Sequence, residues 1–234
     1  MAMEIDLSPG LWAGVTLGLY AGGRQLYQRL PRWWTSPMVI AWVGCGALLL
    51  LTGIPYGEYL RGTWWLGSML GPATVAFAVV VHEHRQLIRK HWGTLAVGVV
   101  FGSLLALASA WILAKVLHFS PEWQASLLPH SVTTPFAQAV SREIGGLPEL
   151  TACLVAVTGL FGAAMGEALI SWLPLRTAFA RGAMLGMGAH GAGTAKAYEL
   201  GREEGAVAGV IMIMAGLLNV VGITLLLAIF PRIT

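Results

Sequence analysis

Two short runs of glycine, proline and threonine would interrupt otherwise apolar helices. They are Gly71-Pro72-Ala73-Thr74 and His190-Gly191-Ala192-Gly193-Thr194. An interruption exposes backbone N–H groups at the start of the following helical half, where the helix dipole favours an anion. Proline tolerates the early helical position that Pro72 would occupy. Two such positive ends would suit a small carboxylate. The alternative is that the glycines serve close helix packing.

Two ionisable side chains, His190 and Lys196, lie in or beside the stretch that holds the second run. Ionisable residues are costly inside a membrane and by default mark a pathway or a partnered site. Lys196 is expected either to neutralise a bound carboxylate or to pair with Glu199 at the membrane edge. His190 is expected to be a proton relay, a hydrogen-bonding ligand or an ordinary buried histidine. Asn219 is expected to hydrogen-bond between helices.

A third polar run lies between the two interruptions. It reads Ser126-Leu127-Leu128-Pro129-His130-Ser131-Val132-Thr133-Thr134-Pro135. Prolines remove helical donors and hydroxyls can satisfy the freed carbonyls, so a plain lipid-facing helix fits poorly. We therefore predict a re-entrant element at 123–143 within a connecting segment 118–147; an eighth, kinked span is the alternative. Ser131, Thr133 and Thr134 are expected to close the site between the two interruptions.

The elements that position these runs must be membrane helices. Charged residues make up 11% of the 234 residues, against roughly 25% in soluble domains, while 56% are apolar or aromatic and 30 are glycine. The apolar runs are continuous rather than alternating, which predicts helices and not a barrel. About seven or eight transmembrane helices are expected, with spans at 8–27, 37–54, 63–81, 92–117, 148–170, 178–199 and 205–230.

Basic residues set the expected orientation of these spans. Arg24, Arg29 and Arg32 follow the first span, and Arg85, Arg89 and Lys90 follow the third. By the positive-inside rule both turns are cytoplasmic and the N-terminus lies outside. Residues 1–6 carry acid where a signal peptide needs positive charge, so the first span is expected to be retained. Arg176 and Arg181 share the cytoplasmic side only if 123–143 re-enters.

The predicted architecture is all-α, a single integral membrane domain over 1–234. After a first span at 8–30, two three-helix repeats of opposite orientation, 37–117 and 148–231, flank the segment 118–147. The runs that begin at Gly71 and Gly191 align at a constant offset of 120 residues. Inverted repeats with interrupted helices are typical of secondary transporters, whose site lies near the bilayer midplane.

Other function classes receive little support from the sequence. The run Val81-His82-Glu83-His84-Arg85-Gln86 lacks the second histidine of a zinc-binding H-E-x-x-H helix, and no nucleophile elbow or phosphate-binding loop occurs. No enzyme, catalytic residue, bound metal, cofactor or nucleic-acid partner is expected, with H⁺ and Na⁺ left open as coupling ions. Cys45 and Cys153 lie far apart in apolar runs and are interpreted as packing residues.

Four ordered blocks of the chain resemble the signature blocks of the LrgB/CidB family. They cover residues 70–79, 128–135, 145–152 and 189–197. The resemblance implies a bacterial cytoplasmic (inner) membrane protein. Bacterial members have been described as antiholin-like or holin-like regulators of murein hydrolase activity and cell lysis, beside a smaller LrgA/CidA membrane partner. The plant chloroplast member is a glycolate/glycerate transporter, and bacterial relatives are linked to pyruvate.

The resemblance and the residues together favour a carrier of small monocarboxylates that works by alternating access; an antiholin/holin-like regulator is the alternative. A carrier predicts that Thr74, Thr134 and Thr194 converge on one polar cavity, whereas a lesion-forming protein predicts a polar stripe on an outer helix face. Family members commonly have Lys at the position of His130 and Arg at that of Lys196, so a different substrate is expected. A homo-oligomer, with a dimer favoured, is also expected.

Overall fold

A computed structural model describes residues 9–229, with side chains described over 10–225. All regular structure in this part of the chain is helical. The helices are α1 Pro9–Arg29, α2 Pro37–Thr52, α3 Tyr56–Ser68, α4 Leu70–Glu83, α5 Arg85–Val116, α6 Pro121–Leu127, α7 Thr134–Glu143, α8 Pro148–Trp172, α9 Ala178–Leu200 and α10 Arg202–Ile229. The acidic residues 1–6, the start of the first predicted span and the last residues of the final one lie outside the described residues.

Four helical stretches are long and apolar enough to cross a membrane. They are Tyr56–Glu83, Arg85–Val116, Pro148–Trp172 and Arg202–Leu225. Over the described residues the fold is therefore all-helical and consistent with a membrane protein, as the composition predicts. The helix α2 is also apolar, but its 16 residues are fewer than the roughly 20 that a spanning helix needs. The total of seven or eight spans and the inverted repeats stay predictions.

The helices form two compact units, the first ending at Ala73 and the second beginning at Thr74. In the first unit, α1 contributes the buried side chain of Trp12, whose ring lies 5.6 Å from that of Tyr59 in α3. The Thr16 hydroxyl lies 3.1 Å from the Tyr59 hydroxyl. Gly44 of α2 leaves room for Leu19, because a Cβ added at Gly44 would lie 3.0 Å from Leu19 Cδ2.

The interruption predicted at Gly71 and Pro72 is a slight bend at Met69. The N–H of Met69 donates to Trp65 O at 3.2 Å, and the N–H of Ala73 donates to Met69 O at 3.0 Å. The helical hydrogen-bond ladder thus continues from α3 into α4. Because the Ala73 N–H is already bonded, this junction leaves fewer backbone donors for an anion than the sequence predicts.

Residues 121–143 fold back on themselves and are called the first hairpin. Their reversal is fixed by Thr151 of α8, whose hydroxyl lies 3.0 Å from Ser126 O and 2.7 Å from Ser141 Oγ. Ser126 lies in α6 and Ser141 in α7, so these helices lie side by side and the turn at 128–133 is the hairpin's tip. A re-entrant element requires this fold-back; its insertion into a membrane stays a prediction.

The first half of α9, residues 178–189, runs parallel to α10. Small residues make the contact close. A Cβ added at Gly182 would lie 3.1 Å from the Glu204 carbonyl carbon, and one added at Gly186 would lie 2.7 Å from Ala208 Cα. The residue numbers on both helices rise together along this contact. The two helices therefore point the same way.

The second half, residues 191–200, runs antiparallel to α10. Tyr198 packs on Gly205, and the Thr194 hydroxyl lies 3.8 Å from Met212 Sδ, so the numbers now run in opposite directions. The chain therefore reverses at His190, and residues 178–200 are called the second hairpin. The interrupted helix predicted as a span at 178–199 is therefore a hairpin, because the chain reverses at the interruption instead of continuing across. Each arm is only about half as long as a 30 Å hydrocarbon core.

Because of this reversal, the second predicted repeat does not consist of three spanning helices. Its flanking helices α8 and α10 are long enough to span, but the element between them is a hairpin. The middle element of the first predicted repeat is instead the nearly continuous Tyr56–Glu83. The 120-residue offset thus relates two elements of different geometry.

The two ends of the second hairpin meet at Glu204. The Arg181 guanidinium donates to Glu204 Oε1 through Nη2 at 2.6 Å and through Nε at 3.2 Å. Gly201, which follows the second arm, leaves no room for a Cβ beside the same carboxylate. Glu204 is itself buried, so its charge depends on Arg181 for compensation.

Replacing Glu204 by alanine is expected to lower the free energy of unfolding by about 1–3 kcal/mol, because Arg181 would lose its carboxylate partner. Unfolding in detergent micelles would measure the change. Glu203→Ala is the matched control, since Glu203 is the exposed neighbour in the same helical turn. Equal losses in the two variants would show that the ion pair does not hold the hairpin.

Helices α5 and α10 pack in parallel through the core of the second unit. Leu95 and Ile211 line one apolar cavity, and Asn219 Nδ2 donates to Ser103 Oγ at 3.3 Å. The separation in sequence is the same for Leu95 and Ile211 as for Ser103 and Asn219. Residue numbers therefore rise together along the contact, as they do between parallel helices. The predicted hydrogen bond of Asn219 between helices is confirmed.

Candidate functional site

The turn of the second hairpin rests on an unfavourable backbone conformation. His190 has φ 45° and ψ −123°, values close to the first central position of a type II′ turn, which glycine usually occupies. A side chain there costs about 1–3 kcal/mol. His190 is also only 3% exposed. A buried imidazole at a strained position is a typical feature of functional sites.

The tips of the two hairpins meet near the middle of α8. At one end of α8, Thr151 contacts both arms of the first hairpin. At Gly159, near the midpoint of this 25-residue helix, an added Cβ would lie 3.7 Å from His190 Nδ1. At Gly166 it would lie against Leu185, further down the second hairpin. The hairpins thus approach along α8 from opposite ends.

Two buried polar atoms at the tips have no hydrogen-bond partner in the described part of the chain. They are Ser131 Oγ and His190 Nε2. The imidazole of His190 also lies close enough to the backbone of Ser131 to hydrogen-bond with it, which brings the two tips together. A buried polar atom without a partner costs about 1–3 kcal/mol. These atoms are therefore available to a ligand, and the ligand would recover that cost.

Two helix N-termini also point to the tips. Helix α7 begins there, and its N-cap residue Thr133 makes no side-chain capping bond. The second arm of α9 begins there with Gly191, which is exposed and has open space around it. Helix N-termini carry free N–H groups and a partial positive charge. The arrangement therefore favours a small anion with one or more hydrogen-bond acceptors.

Not every predicted residue lies at the tips. The Thr194 hydroxyl donates to His190 O at 2.8 Å, within its own helix. Gly193 is buried where an added Cβ would lie 2.8 Å from Ala189 Cβ. Both residues shape the turn rather than face the space between the hairpins. The packing alternative is therefore the better description of Gly193.

Lys196 lies well down the second arm of α9. Its Nζ is 3.0 Å from Glu199 Oε2 and 3.1 Å from Glu167 Oε1 in α8. Of the two roles left open by the sequence, pairing with Glu199 is the one in the structure. The ion pairs tie the second arm to α8.

The residues of the first predicted interruption fall in both units. Gly71, Pro72 and Ala73 belong to the first unit and are exposed. Thr74 belongs to the second unit and shares a helix face with Phe77, whose ring centroid lies 5.9 Å from that of Phe136 in α7. Convergence of Thr74, Thr134 and Thr194 on one cavity stays a prediction, and the Thr194 hydroxyl is already bonded to His190 O.

Sequence reasoning did not assign His130 to the site. The structure places its half-buried imidazole at the tip of the first hairpin, with Nδ1 3.0 Å from Leu127 O. The signal was its position between Pro129 and Ser131, in the middle of the predicted re-entrant run. Among the described residues, no group of three or more His, Cys, Asp or Glu side chains could hold a metal ion.

Comparison with known proteins assigns the chain to a family of similar sequences. The family model described as LrgB-like family matches residues 16–229. The chain is 39% identical over 214 residues to the uncharacterized protein YwbG of Bacillus subtilis, covering 92% of this chain and 95% of YwbG. It is 30% identical over 205 residues to the uncharacterized protein YxaC of the same organism, covering 88% and 89%. No solved structure matches the chain.

Proposed function

Because the chain belongs to the LrgB-like family, we propose that it carries small monocarboxylates of the pyruvate, glycolate or glycerate class across the bacterial cytoplasmic membrane. The observation that supports this most is the meeting of two hairpin tips beside the middle of α8. Discontinuous helices that meet at mid-membrane are typical of secondary transporters. The tips also offer the chemistry that a carboxylate needs.

In this proposal the carboxylate lies between the first turn of α7 and the first turn of the second arm of α9. Thr133, Thr134 and Ser131 face it from the first hairpin, and His190 and Gly191 face it from the second. The two dipole ends favour the negative charge, and hydrogen bonds to a charged group are worth about 1.5–3 kcal/mol each.

The same geometry suggests how the site opens to each side. One hairpin reaches the site along each half of α8, so moving either hairpin away exposes the site to one face of the membrane. Glycines at the α8 contact, where a Cβ at Gly162 would lie 2.9 Å from Ala189 Cβ, allow the helices to slide closely. Alternating access by motion of one element against another follows this pattern.

Replacing Ser131 by alanine is expected to weaken substrate affinity by about tenfold, because one hydrogen bond to the carboxylate is lost. Stability is expected to stay the same or rise, since the variant removes a buried hydroxyl that lacks a partner. The measurement is exchange of labelled pyruvate or glycolate in proteoliposomes preloaded with unlabelled substrate. This exchange needs no ion gradient.

The matched control is Ser109→Ala, which removes an exposed hydroxyl bonded only to Ala106 O in its own helix. It should exchange substrate like the parent. Saturable exchange in the parent that weakens only in Ser131→Ala supports the carrier. Vesicles that leak unrelated solutes, without saturable exchange, would instead support the lesion-forming alternative.

A further inference from the structure

At the tip of the first hairpin, the imidazole of His130 is oriented by a hydrogen bond to the backbone. Its Nδ1 lies 3.0 Å from the Leu127 carbonyl oxygen, which can only accept. When the neutral ring donates from Nδ1 to this carbonyl, Nε2 carries the lone pair. Half-buried rather than enclosed, the ring can exchange a proton with its surroundings. With Nδ1 donating to Leu127 O, the atom of His130 that can accept a proton is Nε2.

The imidazole of His190, at the tip of the second hairpin, lies near the backbone of Ser131, the residue that follows His130. The turn that holds His130 packs against α5, α6, α7, α8 and α9. These five helices contain the titratable and charged residues that could influence His130. They are Arg85, Arg89, Lys90, His91, Lys115, Glu122, Arg142, Glu143, Glu149, Cys153, Glu167, Arg181, His190, Lys196, Tyr198 and Glu199. Those with described ion pairs are held away from the tip, as Lys196 is by Glu167 and Glu199.

We propose that His130 binds a proton that crosses the membrane together with each carboxylate. The inference rests on the proposed carrier function and names its coupling ion. Nε2 takes up one proton as the anion binds between the tips, and it returns that proton when the anion leaves on the other side. The imidazolium and the carboxylate cancel in charge, so the loaded site is neutral.

Neutrality matters because a net charge is costly to move through a low-dielectric region. A fixed cation would also neutralise the anion, but the empty carrier would then return with its charge. The transport cycle would be electrogenic. With a titratable group, both the loaded and the empty site are neutral. The proton gradient, rather than the membrane potential, therefore drives accumulation.

The first test is carried out on the purified full chain in proteoliposomes. With labelled pyruvate or glycolate, an inside-alkaline gradient should raise accumulation by about tenfold for each pH unit, the ratio that one proton supplies. A potassium diffusion potential set with valinomycin should have little effect. An internal pH dye should report one proton taken up with each substrate.

Variants then assign this coupling to His130. His130→Gln cannot bind the proton, so it should lose the tenfold accumulation on the pH gradient. Its accumulation is normalised to the substrate exchange rate of the same variant. His130→Lys has a permanent charge, so its uptake should respond to the potential instead of the pH gradient. His82→Lys, at an exposed position outside the hairpins, is the matched control and should behave like the parent.

The outcomes separate the two proposals. If the parent shows no saturable exchange, the carrier function fails. If exchange is present but no proton moves with the substrate, or if His130→Gln retains full accumulation on the pH gradient, the assignment of the proton to His130 is overturned while the carrier stands. Should His130→Lys fail to insert, the parent and His130→Gln still decide the question.

Discussion

Replacing His190 by glycine is expected to reduce transport by about 100-fold while leaving the protein as stable as the parent or more stable. The transport loss follows from removing the imidazole, since a hydrogen bond to a charged substrate is worth up to about 3 kcal/mol. Deleting the buried ring loses packing, but glycine adopts φ 45° without strain and the variant removes a buried nitrogen without a partner; these two gains offset that loss, so stability should not fall. Function and stability thus change in different directions at one residue.

Comparison with His190→Ala makes the experiment sharper. Alanine also lacks the imidazole but keeps a Cβ at positive φ, so it should be less stable than the glycine variant by about 1 kcal/mol. Substrate exchange and thermal unfolding in detergent, measured on the same preparations, would provide both quantities. Parent-like exchange in His190→Gly would remove His190 from the site.

Adding a single methyl group at Gly193 is expected to destabilise the second hairpin by about 2–3 kcal/mol. The new Cβ would lie 2.8 Å from Ala189 Cβ and 2.8 Å from the Leu185 carbonyl carbon. The arms must then separate, because neither of those atoms belongs to a flexible side chain. Loss of folded protein is therefore the expected result of Gly193→Ala.

The matched control is Gly188→Ala, in the first arm of the same hairpin. A Cβ at Gly188 meets nothing within 4 Å, so alanine should be neutral or stabilising by up to about 1 kcal/mol. Yield after detergent extraction and the midpoint of thermal unfolding would compare the two variants. If both behave alike, the arms do not pack as closely as the structure has them.

The bounds of the long helices could be predicted from the sequence, but the path of α9 could not. The predicted span 148–170 differs little from α8, Pro148–Trp172. Hydropathy reports how apolar a segment is, not its direction, and both arms of α9 are built of small apolar residues. The reversal depends on one residue, His190, whose side chain does not normally favour positive φ.

As with the fold, part of the candidate site could be predicted from the sequence and part could not. The runs around Ser131 and His190 are the tips of the hairpins, because glycine, proline and hydroxyl residues end regular helices wherever they cluster. That Ser131, Thr133 and Thr134 close a site with the second run is a prediction of the sequence, but the geometry of the approach could not be predicted, since it depends on the reversal of α9. Lys196 illustrates the opposite case, because its partner Glu167 lies 29 positions away in sequence and pairing depends on tertiary packing.

The two hairpins also bear on how such a chain could have evolved. Inserting one straight transmembrane helix into an existing chain inverts every helix that follows it. A hairpin inverts nothing, because its two arms run in opposite directions, so α5 and α10 keep the same direction with only α8 reversed between them. Each hairpin is therefore a module that could be gained, lost or exchanged between relatives without turning the flanking helices over.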